Sequence, residues 1–309
     1  MPTKDEQRER IESAVRKCYS TWGTSYYKDY YEAGAPYPPV HVDLLRRVVL
    51  ESKARSVLDA GCGPASFLRH LARDGLGLFG FDLTAEMVAE AKRVFREFGL
   101  NPDRVWQGSV LDANAYRAAG STVGVSCYDA AVCVGVMPHV AREHEALVFQ
   151  NLSAALRHDG TVIVEARNQL FGLYTMNRPS YEFIRNELVR ADGLLARAGE
   201  AEPKVAAALD EMQSQFRMDL PPIRRGKAGE PGYDEVVSRT HNPLTLRRDL
   251  EAAGFRDVRV LFYHFHAVPP LLAAGFPEFF LRESVAMEDP EDWRGYFMAS
   301  AFVLVGRKA

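Results

Sequence analysis

The chain reads as an α/β protein built on a mostly parallel sheet with helices on both faces, and three observations predict this. From residue 40 onward, short apolar strand-like runs alternate with amphipathic helical stretches, the rhythm of successive strand–helix–strand units. At one junction Ser56-Val57-Leu58 runs into Asp59-Ala60-Gly61-Cys62-Gly63, whose glycines allow a tight turn that a ligand can approach without meeting a Cβ. At 309 residues the chain has room for one large α/β domain, or for one domain with a sizeable insertion.

Taken in order, a helix over residues 44–50 leads into the first strand, Ser56-Val57-Leu58. Leu78-Phe79-Gly80-Phe81 is the second strand and ends at Asp82. Thr84 is placed to cap a helix over residues 85–98, with Met87, Val88, Ala91, Val94 and Phe95 on its apolar face. Arg104-Val105-Trp106-Gln107 is a short third strand, and residues 128–134 form a fourth. A helix over 145–156 turns at His158-Asp159-Gly160 into the fifth strand, Thr161-Val162-Ile163-Val164-Glu165. The rhythm then breaks. Residues 166–241 hold helical stretches over 180–197 and 203–216 and a segment at 221–227 rich in proline and basic residues. A helix over 243–253, a turn at Gly254-Phe255 and strands over 258–265 and 298–305 complete seven strands. The expected organisation is an N-terminal helical lid (1–45), a main domain (46–165 and 242–309) and a helical substrate-cap insertion (166–241).

With 38 basic against 41 acidic residues, nothing drives the chain electrostatically toward nucleic acid or an anionic membrane, so the expected partner is a small molecule. No apolar run approaches about 18 residues, and the opening Met1-Pro2-Thr3-Lys4-Asp5-Glu6 is charged; both argue against a membrane span and a signal peptide. Cys18, Cys62, Cys127 and Cys133 show no metal-ligand spacing, so four reduced thiols in a cytoplasmic protein are expected.

The stretch Asp59-Ala60-Gly61-Cys62-Gly63 resembles motif I of the class I S-adenosylmethionine-dependent methyltransferases of small molecules. Further elements follow in that family's order: Asp82 at the end of the second strand, Gly108-Ser109-Val110 after the third, and Gly135-Val136-Met137-Pro138-His139 after the fourth. The resemblance covers residues 50–165 well and 242–307 in outline, and it implies a Rossmann-like sheet ending in an antiparallel strand pair. It also implies that Asp59, Gly61 and Gly63 bind the cofactor and that Asp82 accepts hydrogen bonds from both ribose hydroxyls. Leu83 and Met87 would pack near the adenine or ribose, and Val110 on the adenine face. Ser109 stands where the family often has an acid for the adenine amino group, and the carbonyl of Val134 would take the ammonium. Ala65 departs from a third glycine common in the family. A nicotinamide-dependent oxidoreductase needs GxGxxG or GxGxxA, but Gly61-Cys62-Gly63-Pro64-Ala65-Ser66 ends on serine, and Asp59 would crowd a diphosphate. A non-catalytic protein that retains the cofactor is the other alternative.

Methyl transfer needs an aligned acceptor, and a base only where the acceptor must lose a proton. Glu165 ends an apolar strand at the ligand-binding edge and reads either as that base or as a carboxylate satisfied by nearby backbone or Arg167. His139 reads either as a second candidate base or as a residue with a packing or loop role. His264 and His266 share one face of a strand by alternation and read either as substrate contacts or as solvent-facing or core-satisfied histidines. In the tyrosine-dense run from Trp22 to Tyr31, Tyr27 and Tyr31 are placed to close the site over cofactor and substrate. Arg167, Phe171, Tyr174 and Arg178 at the entrance of the insertion are candidate substrate contacts, and the basic set Arg178, Arg185, Arg224, Arg225, Lys227 and Arg239 reads either as a solvated face or as recognition of an anionic acceptor. One specific alternative is C-methylation of a prenyl diphosphate such as geranyl diphosphate. There Mg²⁺ and arginines would hold the diphosphate, aromatic faces (Phe171, Tyr174, Tyr181, Phe262, Phe265) would stabilise a carbocation, and Glu165 would remove a proton. A phenol, amine or sugar of a natural-product pathway fits the same residues.

Overall fold

Short apolar runs, whose successive side chains point to opposite faces, build one sheet from β1 (Ser56–Ala60), β2 (Gly77–Asp82), β3 (Val105–Gln107), β4 (Tyr128–Cys133), β5 (Leu156–Arg167), β6 (Phe255–Phe265) and β7 (Ala299–Lys308). This computed structural model describes residues 4–21, 25–32, 35, 37–117, 128–218 and 236–309. The strand order is β3-β2-β1-β4-β5-β7-β6. β1 to β5 pair in parallel, and β7 lies antiparallel between β5 and β6. The order reverses at the β1–β4 pair, so the loops leaving these two strands diverge and open a crevice at their carboxyl ends.

The alternation divides the interior into two cores. Leu58, Ala131, Val162, Val164, Phe302 and Leu304 face one side. Val57, Ala130, Val132, Ile163, Val303 and Val305 face the other. The helices are α1 (Lys4–Ser20), α2 (Ser25–Tyr31), α3 (Val40–Glu51), α4 (Leu68–Leu71), α5 (Ala85–Glu97) and α6 (Glu145–Ala155), with a later helix at Pro243–Ala252. Leu45, Val48, Val88, Ala91 and Val94 place α3 and α5 on the second core. Val148, Phe149 and Leu152 of α6, with Leu246 and Leu250, cover the first. Fully buried Leu58, Phe81 and Phe302 each contribute on the order of 2 kcal/mol by leaving water.

Several local expectations change. Thr84 sits at the N-cap of α5 without capping it, because its hydroxyl donates to Asp82 Oδ1 at 3.0 Å. The helix expected over 180–197 is broken into Arg178–Phe183, a wide turn at Ile184–Leu188 and Ala191–Ala196, with Arg190 in the left-handed region at φ 54°. The second stretch of the insertion is a helix at Glu202–Gln213. β6 and β7 do pair antiparallel, but the connection between them holds unforeseen helices at Pro270–Ala273, Pro277–Ala286 and Gly295–Met298. Trp22, Gly23, Thr24, Cys127, Arg224, Arg225 and Lys227 lie outside the described residues. Among the described residues, Cys18, Cys62 and Cys133 are buried thiols outside any disulfide, no group of three or more His, Cys, Asp or Glu side chains is placed to hold a metal, and no helix is long and apolar enough to cross a membrane.

Candidate functional site

The loop after β1 is tied to the end of β2. Gly61 and Cys62 donate their N–H groups to the Phe81 carbonyl at 2.8 and 2.9 Å, and the Gly63 N–H donates to Asp82 Oδ2 at 2.9 Å. Asp82 also accepts from the Thr84 N–H at 2.9 Å, so its carboxylate is fixed before any ligand arrives. Gly61 is required twice over: its φ is +88°, and a Cβ there would lie 2.3 Å from Val136 Cγ2. At Gly63, φ +52°, a Cβ would meet nothing within 4 Å, so this part of the loop borders open space of the kind a ligand fills. Ala65 holds a left-handed φ of 57°, which explains in conformational terms why glycine suits that position.

One cavity adjoins this loop, and a second shares part of its lining. The first is bordered by Asp59, Gly61 and Gly63, by Asp82, Leu83 and Met87, by Ser109 and Val110, and by Val134, Gly135 and Val136. Arg8, Glu12 and Tyr19 of α1 and Tyr26 and Tyr31 of α2 also border it. Burial, followed by the charge of Asp82, raises Asp59 to about 8, and burial raises Asp82 against the N–H bonds it accepts. Two buried acids on one wall favour a cationic ligand and disfavour a diphosphate. The second cavity shares Tyr19, Tyr26, Tyr31, Val134, Gly135 and His139 with the first, and extends to Tyr37, His41, Glu165, Arg167, Tyr263 and His264.

At the boundary stands His139. Its Nδ1 is 2.7 Å from the Val237 carbonyl, which can only accept, so Nδ1 carries the proton. Nε2 then presents its lone pair to the Tyr19 hydroxyl at 2.8 Å. Burial lowers His139 to about 4, so the ring is neutral. Glu165 is buried, which raises its pKa; Oε2 accepts from the Gly135 N–H at 2.7 Å and Oε1 from the Tyr263 hydroxyl at 3.0 Å. Gly135, at φ +72°, begins the turn after β4, and Glu165 is the post that holds it. Tyr31 borders both cavities, and burial together with Asp59 and Glu165 keeps it a neutral phenol.

Residues 57–160 match a family model described as a methyltransferase domain. The ubiquinone biosynthesis O-methyltransferase of Erwinia tasmaniensis is 30% identical over 209 residues, covering 68% of this chain and 74% of that protein. The chain belongs to the S-adenosylmethionine-dependent methyltransferase family. This methyltransferase also resembles the Actinobacillus pleuropneumoniae (serotype 5b) protein of the same name, at 25% identity over 153 residues; the match covers 48% of this chain and 63% of that relative. In fold it is similar to the magnesium protoporphyrin IX methyltransferase of Synechocystis PCC 6803 with bound S-adenosylhomocysteine, with a TM-score of 0.53 at 15% identity, covering 96% of this chain and 100% of that one. The enzyme is thus a class I methyltransferase that uses S-adenosylmethionine, and the oxidoreductase and non-catalytic alternatives fall away.

Within the methyltransferase, Asp59, Gly61, Gly63, Asp82, Leu83, Met87, Ser109, Val110 and Val134 all border the first cavity. Tyr27 does not line it: its ring stacks on Tyr31, and the Arg69 guanidinium lies 3.7 Å above it. Tyr31, Arg167 and His264 border the second cavity. Phe171, Tyr174, Arg178 and His266 line neither. Phe171 packs on His266 at 4.6 Å, the Tyr174 hydroxyl donates to the Ala267 carbonyl, and Arg178 pairs with Glu182. The strand alternation expected of His264 and His266 fails because His264 takes a φ of 58° and packs on Tyr37 at 4.4 Å. Sequence reasoning missed Glu12, Tyr19, Tyr26, Tyr37, His41 and Tyr263. The signal for the first two was present: Arg8, Ile11, Glu12, Val15 and Tyr19 recur at three- and four-residue spacing and share one face of α1.

Proposed function

We propose that this enzyme methylates a phenolic hydroxyl of a small aromatic molecule, with His139 as the proton acceptor. The observation that carries this reading is the neutral His139 between the two cavities, its Nε2 lone pair already engaged by a phenol hydroxyl, that of Tyr19. The acceptor's hydroxyl takes the place of the Tyr19 hydroxyl. The second cavity, walled by tyrosines and histidines, suits a flat aromatic ring. The relatives named as O-methyltransferases support oxygen as the receiving atom.

In this reading the cofactor lies along the first cavity. Asp59 and the Val134 carbonyl face its ammonium, Asp82 its ribose hydroxyls, and Leu83, Met87 and Val110 its adenine. When bound, S-adenosylmethionine supplies a methyl group on a positive sulfonium, a donor already activated. His139 Nε2 takes the phenol proton as the oxygen attacks the methyl carbon, the carbon–sulfur bond breaks, and the imidazolium later returns its proton to solvent. The products are a methyl ether and S-adenosylhomocysteine. Glu165 holds the Gly135 peptide beside the reacting groups, with both oxygens already accepting hydrogen bonds.

C-methylation of a prenyl diphosphate finds less support. Among the described arginines of the insertion, Arg178, Arg185 and Arg239 pair with Glu182, Asp192 and Glu145, and only Arg167 borders the second cavity. The test is turnover with a panel of simple phenols and catechols, comparing the wild type with His139→Gln. Methoxy products that the variant forms at no more than about a hundredth of the wild-type rate support the reading. Equal rates would refute it.

A further inference from the structure

Ser109 occupies the loop position where an acid would face the cofactor's adenine, and a serine hydroxyl is a poor substitute for a carboxylate. In this enzyme the hydroxyl is also committed. It accepts from the Leu111 N–H at 3.0 Å and donates its only proton to Glu12 Oε1. Glu12 comes from α1, remote in sequence, yet it borders the same cavity beside Ser109 and Val110. Its side chain is 13% exposed and is flanked by Arg8 at 3.7 Å and Arg16 at 4.0 Å, which hold it in place. The cavity thus carries three acids, Asp59, Asp82 and Glu12. The cofactor offers three kinds of donor: an ammonium, a ribose diol and an exocyclic adenine amine.

We propose that Glu12 recognises the adenine amino group, so that an acid supplied by the N-terminal helix replaces the one missing at Ser109. The role rests on the cofactor seating given above and makes α1 part of the cofactor site. Ser109 becomes a positioning residue, its hydroxyl steering the Glu12 carboxylate. The Glu12 carboxylate only accepts hydrogen bonds, so it favours an amino group at the purine 6-position and disfavours a carbonyl oxygen there.

The test is calorimetric binding of S-adenosylhomocysteine and of S-inosylhomocysteine, in which a carbonyl replaces the amine. Both ligands are measured on the wild type, Glu12→Gln, Glu12→Ala and Asp82→Ala, each checked by its melting curve. The wild type should prefer the adenosyl ligand by about tenfold or more, as expected when a buried acceptor loses its donor. Glu12→Gln, whose amide can present either its oxygen or its NH₂, should bring the two affinities within about threefold. Glu12→Ala should weaken the adenosyl ligand selectively, and Asp82→Ala should weaken both ligands while leaving their ratio intact. An unchanged ratio in both Glu12 variants that still bind S-adenosylhomocysteine overturns the role of Glu12 and leaves the seating standing. Failure of the folded wild type to bind S-adenosylhomocysteine overturns the seating and this role with it.

Discussion

In the proposed seating, replacing Asp59 by asparagine removes a charge that the cofactor itself has to switch on. Burial and Asp82 raise Asp59 to about 8, so at pH 7 roughly 0.9 of the free enzyme carries it protonated. An ammonium placed against it favours the carboxylate. Binding at pH 7 should therefore release about 0.9 proton, and affinity should fall about tenfold for each pH unit below 8. Calorimetry with S-adenosylhomocysteine from about pH 5.5 to 7 keeps the ligand's amino group charged. Repeating each titration in two buffers of different ionisation enthalpy counts the proton. Asp59→Asn should bind more weakly, with no proton release and a flat profile over this range. The free enzyme offers an independent check. The folded-state value lies above the unfolded 3.8, so the contribution of Asp59 to stability is complete below about pH 4 and is lost as pH rises toward 8. The asparagine variant should therefore melt above the wild type at pH 8, by up to a few kcal/mol, and converge with it near pH 4. A wild-type affinity flat in pH, or equal proton release by both proteins, refutes this reasoning.

His139→Gln should lower kcat by about 10²- to 10⁴-fold with S-adenosylhomocysteine affinity unchanged. At saturating S-adenosylmethionine, the acid limb of the wild-type kcat/KM for the phenol should fall near pH 4 rather than at the ordinary histidine value, because the neutral base persists down to about 4 before the phenol binds. Glu165→Gln keeps only one of the two acceptor oxygens and should cost roughly 1–3 kcal/mol of stability as well as cofactor affinity. Loss of turnover with melting temperature and affinity both intact would instead make Glu165 the base. Gly61→Ala should destabilise by about 1–2 kcal/mol for its φ of +88° and by about 1–3 kcal/mol more for the 2.3 Å approach to Val136. Adding Val136→Ala should recover only the second part in thermal melts.

The sheet and most of the first cavity's lining were legible in the sequence because both depend on local pattern. Strands such as Thr161 to Glu165 announce themselves by continuous apolar residues, and the glycine loop by positions where backbone conformation forbids a side chain. Glu165 shows where local reading stops. Its place at the end of β5 was readable, but its bonds to Gly135, across the neighbouring strand, and to Tyr263, 98 residues away, arise from tertiary structure. His264 shows a second limit, since alternation fails at a single left-handed residue. Glu12 and Tyr19 lie on an amphipathic helix whose stripe looks like ordinary packing, and only the folded chain turns that stripe toward a cavity. The arginines of the insertion, which left two readings open, are settled by the complementary kind of contact. Arg178 and Arg185 have acidic partners nearby in sequence, and a charged run so arranged is a solvated face.

The most direct test of O-methylation by His139 follows the methyl group itself. The enzyme is incubated with methyl-labelled S-adenosylmethionine and a panel of phenols, catechols, amines, sugars and prenyl diphosphates, with Mg²⁺ or with EDTA, and the labelled product is identified by NMR. The account predicts a labelled methoxy group on a phenolic ring, formed equally well in EDTA and lost in His139→Gln. A label on carbon of a prenyl diphosphate that requires Mg²⁺, or a methoxy product formed at an unchanged rate by His139→Gln, would contradict it.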